Sequence, residues 1–70
     1  MHLLGTVADI STVDRTIAIA PDDGSSQITL SYDDHTRFVL RGVTGLATGQ
    51  LVRVVYDEEL VAKVVFVPAE

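Results

Sequence analysis

Leu51-Val52-Arg53-Val54-Val55-Tyr56, entered through Leu46-Ala47-Thr48-Gly49-Gln50, is followed by Asp57-Glu58-Glu59 and a return from Leu60 to Pro68. Two β-branched, apolar runs separated by a short acidic segment predict a β-hairpin, with the charged tip keeping its edge soluble. This is the most regular and most apolar part of the chain. Strict alternation places Val52, Val54 and Tyr56 opposite Ala62, Val64 and Phe66, and sends Leu51, Val55, Val61, Val65 and Val67 to the other side.

Outside the hairpin, the rest of the chain sets the architecture. Leu3 to Ile10 reads as a first strand with Val7 and Ile10 inward. A spacing of three departs from strict alternation, so a bulge is expected near Ala8-Asp9, and Gly5 sits where a first barrel strand must curl. Thr16-Ile17-Ala18-Ile19-Ala20 alternates cleanly, and Pro21-Asp22-Asp23-Gly24 is a strong turn signal. Ser26 to Tyr32 forms a third strand with Ile28, Leu30 and Tyr32 inward. After the break at Asp33-Asp34-His35, Thr36 to Leu40 resumes with Phe38 inward. Three glycines in Arg41 to Gln50, at roughly 1 kcal/mol each relative to Ala, argue against a helix there and for a loop plugged by Leu46.

The 70 residues form one small domain, positions 1–70. A chain of this size buries only about 60% of its unfolded surface. It contains no cysteine, which removes disulfides, thiolate metal sites and cysteine nucleophiles together. The expected fold is all-β: a small OB-like antiparallel barrel of five or six strands with no substantial helix, since closure hides the edges of β-branched strands.

The frame Gly5-x-Val7-x-x-Ile10, Ile17-x-Ile19, Thr36-x-Phe38, Leu46-x-x-Gly49-x-x-Val52-x-Val54-x-Tyr56 and Ala62-x-x-Val65 resembles small bacterial OB-like β-barrel domains of uncharacterised function. That resemblance implies a five- or six-stranded barrel and carries over no catalytic residue. Transport-associated OB domains that bind oxyanions such as molybdate are similar in size and strand count, but their Ser-Arg-Asn opening is absent here.

Ten acidic against five basic residues give a net charge of −5, which opposes binding of a polyanion. No apolar run reaches the roughly 18 to 20 residues that span a bilayer, and the start of the chain lacks the pattern of a signal peptide. The chain as written therefore reads as cytoplasmic, without a membrane partner. Asp33, His35 and His2 are the nearest approach to a metal-ligand set, but only Asp33 and His35 share a face of an extended chain. Asp22-Asp23-Gly24 matches only the opening of a calcium loop. No metal and no cofactor are expected. Ser11, Ser25, Ser26 and Ser31 lack a neighbouring base in a nucleophile motif, and so small a barrel is filled by its own side chains, so no enzyme activity is expected.

Two functional expectations remain. The surplus aliphatic groups Leu51, Val55, Val61, Val65 and Val67 predict a non-catalytic binding or assembly module acting through a protein partner or a second copy of the chain. A one-residue bulge, or cover from the 41–50 loop or from Leu3-Leu4, would remove that surplus. The alternative is a small-ligand or single-stranded nucleic-acid-binding barrel using Arg37, Arg41, Arg53 and Lys63.

Overall fold

The computed structural model describes Met1–Pro68. It contains β1 (His2–Ser11), β2 (Thr16–Pro21), β3 (Ile28–Ser31), β4 (Arg37–Leu40), β5 (Leu51–Tyr56) and β6 (Ala62–Val67). These strands form one sheet in the order β3-β2-β1-β5-β6-β4. Among the described residues there is no helix, so none long and apolar enough to cross a membrane.

β1 is the longest strand and serves both halves of the sheet. Its start pairs with β5 from His2–Val55 to Thr6–Leu51, and its end pairs with β2 from Gly5–Pro21 to Ser11–Thr16. The changeover falls at Gly5, where both neighbours meet. A Cβ there would strike the Ala20 carbonyl oxygen and lie 2.8 Å from Ile19 Cγ2. Only glycine lets β1 coil this tightly against β2.

The expected break in alternation is present. The β1–β2 register shifts between Val7 and Asp9, leaving Ala8 unopposed, so Val7 pairs with Ile19 and Ile10 with Ile17. A second shift lies in the β5–β6 hairpin, where Val55 opposes Val64 and Tyr56 opposes Ala62, leaving Lys63 as the extra residue. One bulge per strand turns residues three apart to the same side. The core comprises Val7, Ile17, Ile19, Leu30, Val52, Val54, Ala62, Val65 and Val67, with Leu3, Ile10, Ile28, Tyr32, Leu40, Leu46 and Tyr56 packed around it.

The sheet departs from the expected all-antiparallel pattern at one pair, since β4 runs parallel to β6 from Arg37–Val64 to Leu40–Val67. The free side of β6 is therefore occupied in sequence by three segments. Ser31 at the end of β3 bridges to Val61, with its amide donating to the Leu60 carbonyl at 2.9 Å. Buried Thr36 donates its hydroxyl to the Ala62 carbonyl at 2.6 Å, and β4 follows. This line of contacts is the seam of the barrel.

The 41–50 loop is irregular, as its glycines require, and is fastened to β1 at the bulge. Gly49 donates to the Val7 carbonyl at 2.8 Å and Val7 donates to that of Gln50 at 2.9 Å. The Gln50 side chain closes the loop on itself, accepting from the Ala47 amide at 2.8 Å and donating to the Gly45 carbonyl at 3.2 Å.

Gly5→Ala is expected to destabilise the fold by about 1–3 kcal/mol through overpacking. Gly45→Ala, whose Cβ would meet nothing within 4 Å, is expected to stay within about 0.5 kcal/mol. Urea unfolding of the two variants beside the parent measures the difference.

Candidate functional site

The bulge at Lys63 decides the fate of the expected interaction face. It reverses the facing of β6 after Ala62, so that Val65 and Val67 enter the core at 0% and 2% exposure. Val64 and Phe66, assigned inward by strict alternation, lie outward instead, opposite Val55 and Arg53. Val55 and Val61 are half-buried, and Leu51 stands at 46% exposure. Of the five expected face residues, Val65 and Val67 are thus core residues, and Val64 and Phe66 take their outward places. Leu46 from the loop and Leu3 from β1 also pack against the core rather than covering the hairpin's outer side.

The basic residues divide into two groups. Leu4, Arg53, Phe66 and Val39 form one outward row across β1, β5, β6 and β4, and His2, Val55, Val64 and Arg37 form the next. Arg53, Arg41, Val39, Phe66 and Pro68 line a cleft of about 120 Å³. Lys63 is separate, held 3.3 Å from the Asp57 carboxylate at the hairpin tip. Phe38 is 38% exposed and meets Tyr32 edge-to-face at 5.7 Å, so neither phenylalanine belongs to the core. Sequence alternation misplaces Phe66, which lies past the bulge at Lys63; Phe38, opposite core Val65, faces inward as expected but stays partly exposed.

Asp33 and His35 are close, but their arrangement is that of a turn. One Asp33 carboxylate oxygen accepts the His35 amide at 2.8 Å, and the Asp33 amide donates to Thr36 Oγ1 at 3.0 Å. His2 lies elsewhere. Its row reaches β4 at Arg37, three strand spacings or about 14 Å away, with His35 two residues beyond. Among the described residues, no group of three or more His, Asp or Glu side chains is placed to hold a metal ion.

His2 has different neighbours. An open groove at the start of β1 is lined by His2, Leu3, Leu4, Pro21, Asp22 and Asp23. Asp23 there is occupied by its own turn: its carboxylate accepts the Ser25 amide at 2.8 Å, and hydrogen bonding from Ser25 holds its pKa below the usual value. Beside His2, Met1 is anchored through its backbone, its amino group donating to the Tyr56 carbonyl at 3.0 Å and its carbonyl accepting the Tyr56 amide at 2.8 Å. The Met1 side chain is left exposed. Met1, which carries the single thioether of the chain, and exposed His2 are therefore consecutive residues at one end of the barrel. Sequence reasoning misses Met1, whose only signal is that it is the sole methionine and adjoins a histidine.

No family model matches the sequence, and no curated protein matches it. Among solved structures, the crystal structure of Ag(I)CusF is similar with a TM-score of 0.72 and 16% identity, over 93% of this chain and 92% of that one. The chain has the fold of a small OB-like β-barrel. That finding corrects the expected partners and function. The protein–protein or self-association module and its small-ligand or nucleic-acid-binding alternative both give way, because the barrel that matches nearly the whole chain is a silver(I) protein. Packing points the same way for the module, since Val65 and Val67 are core residues.

Val65→Ala is expected to cost about 2 kcal/mol, the transfer of two methyl groups plus part of a cavity. Val64→Ala, on the outer side, is expected to cost less than about 1 kcal/mol. Denaturant midpoints of the two variants check the register of β6, and equal losses contradict the bulge at Lys63.

Proposed function

We propose that the chain is a non-catalytic barrel that holds a soft metal ion at the start of β1, with the Met1 thioether and the His2 imidazole as donors. The observation that carries this reading is the exposed Met1–His2 pair, on a fold shared end to end with a silver(I)-bound protein.

The donor chemistry suits a soft ion. Thioethers select Cu(I)-like ions, imidazole also binds copper, and carboxylate sets serve harder cations. A d10 monovalent ion accepts few donors, which fits a molecule where no three His, Asp or Glu side chains gather among the described residues. Adjacent residues on a strand project to opposite faces. Met1 precedes β1, however, and its long unbranched side chain has the freedom to turn its sulfur toward the His2 side. Asp22 and Asp23 beside the same groove and the net charge of −5 draw cations toward it.

One methionine in the chain gives a single resonance when its methyl group is labelled with ¹³C. Titration with Ag(I) is expected to move that resonance and the His2 ring signals together, saturating near about one equivalent, with Zn(II) leaving the methyl unmoved. His2→Ala is expected to weaken Ag(I) binding at least about tenfold, near 1.4 kcal/mol. A methyl resonance that stays in place under excess Ag(I), or unchanged affinity in His2→Ala, removes this reading.

A further inference from the structure

The seam of the barrel is held at its β3 end by one turn. Within Asp57–Leu60, the Asp57 carboxylate oxygen Oδ1 accepts two backbone amides, Glu59 at 2.9 Å and Val61 at 3.1 Å. Backbone bonds from Leu60 to the Asp57 carbonyl at 3.0 Å and from Asp57 to the Val61 carbonyl at 3.1 Å complete the turn. Its closing residue, Leu60, has φ 61°, the left-handed region that branched and bulky side chains avoid. That backbone needs outside support, and the carboxylate supplies it from both sides, at residues 59 and 61. The carbonyl so presented is the acceptor for the Ser31 amide at 2.9 Å, beside the isolated Ser31–Val61 bridge.

We propose that the Asp57–Leu60 turn is a latch: the Asp57 carboxylate holds the Leu60 carbonyl against Ser31 and so keeps the β3 edge docked on β6. Release frees the end of β3 while Thr36, bonded to Ala62, still clasps β4. The device is independent of the metal reading, since neither Met1 nor His2 takes part in these bonds.

The charged groups around the carboxylate are few. Lys63 on β6 approaches its second oxygen at 3.3 Å, and Glu58 and Glu59 lie exposed in the turn. From β1, the Met1 amino group is bound to the carbonyl of Tyr56, next in the chain, while β3 presents only Ser31. The Val61 amide foremost, with those of Glu59 and the Lys63 ammonium, holds the Asp57 carboxyl below its ordinary value of 3.8. A depressed carboxyl contributes stability above its unfolded pKa and loses it as pH falls through the folded one. The latch therefore opens in acid, below that ordinary value.

Amide hydrogen exchange tests the latch, read at Ser31 against the Val7 amide, which is bonded to Gln50 instead. In Asp57→Ala at neutral pH, Ser31 protection is expected to fall at least about tenfold while Val7 protection stays within about twofold. Lys63→Ala, which keeps the carboxylate, is expected to leave Ser31 near the parent value. The parent protein supplies the same comparison without a substitution, through the ratio of the two protection factors on acidification. Three results overturn the proposal: an unchanged Ser31 in Asp57→Ala, equal loss at Ser31 and Val7, or opening by Lys63→Ala as large as by Asp57→Ala. An unchanged ratio in acid does so from the parent protein alone.

Discussion

A strand presents alternate residues to one face, yet this barrel needs residues three apart on the same face in two places. Val7 and Ile10 must both face the core from β1, and Ala62 and Val65 must both face it from β6. The whole structure depends on resolving that mismatch. A single extra residue, Ala8 in one strand and Lys63 in the other, does so by locally reversing the pleat and increasing the twist. Without the second bulge, Val65 and Val67 would face water in exchange for Val64 and Phe66. A slip of one residue moves an entire side-chain set in this way. The bulges also coil the sheet, which together with the close approach at Gly5 brings β3 round to the free side of β6.

That approach leaves the barrel with a seam of uneven strength. β4 meets β6 along a four-residue parallel ladder, reinforced by the buried Thr36 hydroxyl. β3 meets it through one bridge and one amide bond that depend on an exposed, charged turn. Hydrogen bonds exposed to solvent open at lower free energy than those backed by a core. The acidic hairpin tip thus has a structural part beyond solubility, with Asp57 directing two amides and Lys63 steadying Asp57 from within the bulge.

Much of this was legible in the sequence wherever polar and apolar residues alternate. All six strands, the glycine loop and the bulge at Ala8 follow from such contrast, because Asp9 between Val7 and Ile10 cannot face the core. The hairpin bulge was open to argument but could not be assigned, because Val64, Val65, Phe66 and Val67 are all apolar and offer no contrast to fix the register. The parallel β4–β6 pair was not legible, since pairing between strands distant in sequence depends on how the sheet coils. At the candidate site, His2 stood out by its side chain. Asp33 and His35 stood out for the wrong reason, as the Asp33 carboxylate serves the backbone of its own turn. Met1 carried too little local pattern to be noticed.

The comparison with a silver(I) barrel bears on the fold alone. At 16% identity, the shared architecture says how the backbone is arranged and leaves the donors to be read from this chain alone. Here the interior is filled by aliphatic groups, so an ion can be met only at an end or an outer face of the barrel. Carboxylates are plentiful on that surface, but Asp23, Asp33 and Asp57 are engaged by backbone amides of their own turns. A group already accepting such bonds gives them up to become a ligand, which weakens any hard-ion site built from it. Among the described residues, no hydrogen bond or ion pair engages the Met1 thioether or the His2 imidazole. On the proposed reading, a soft ion at the start of β1 is consistent with three of the carboxylates, Asp23, Asp33 and Asp57, being used to hold turns.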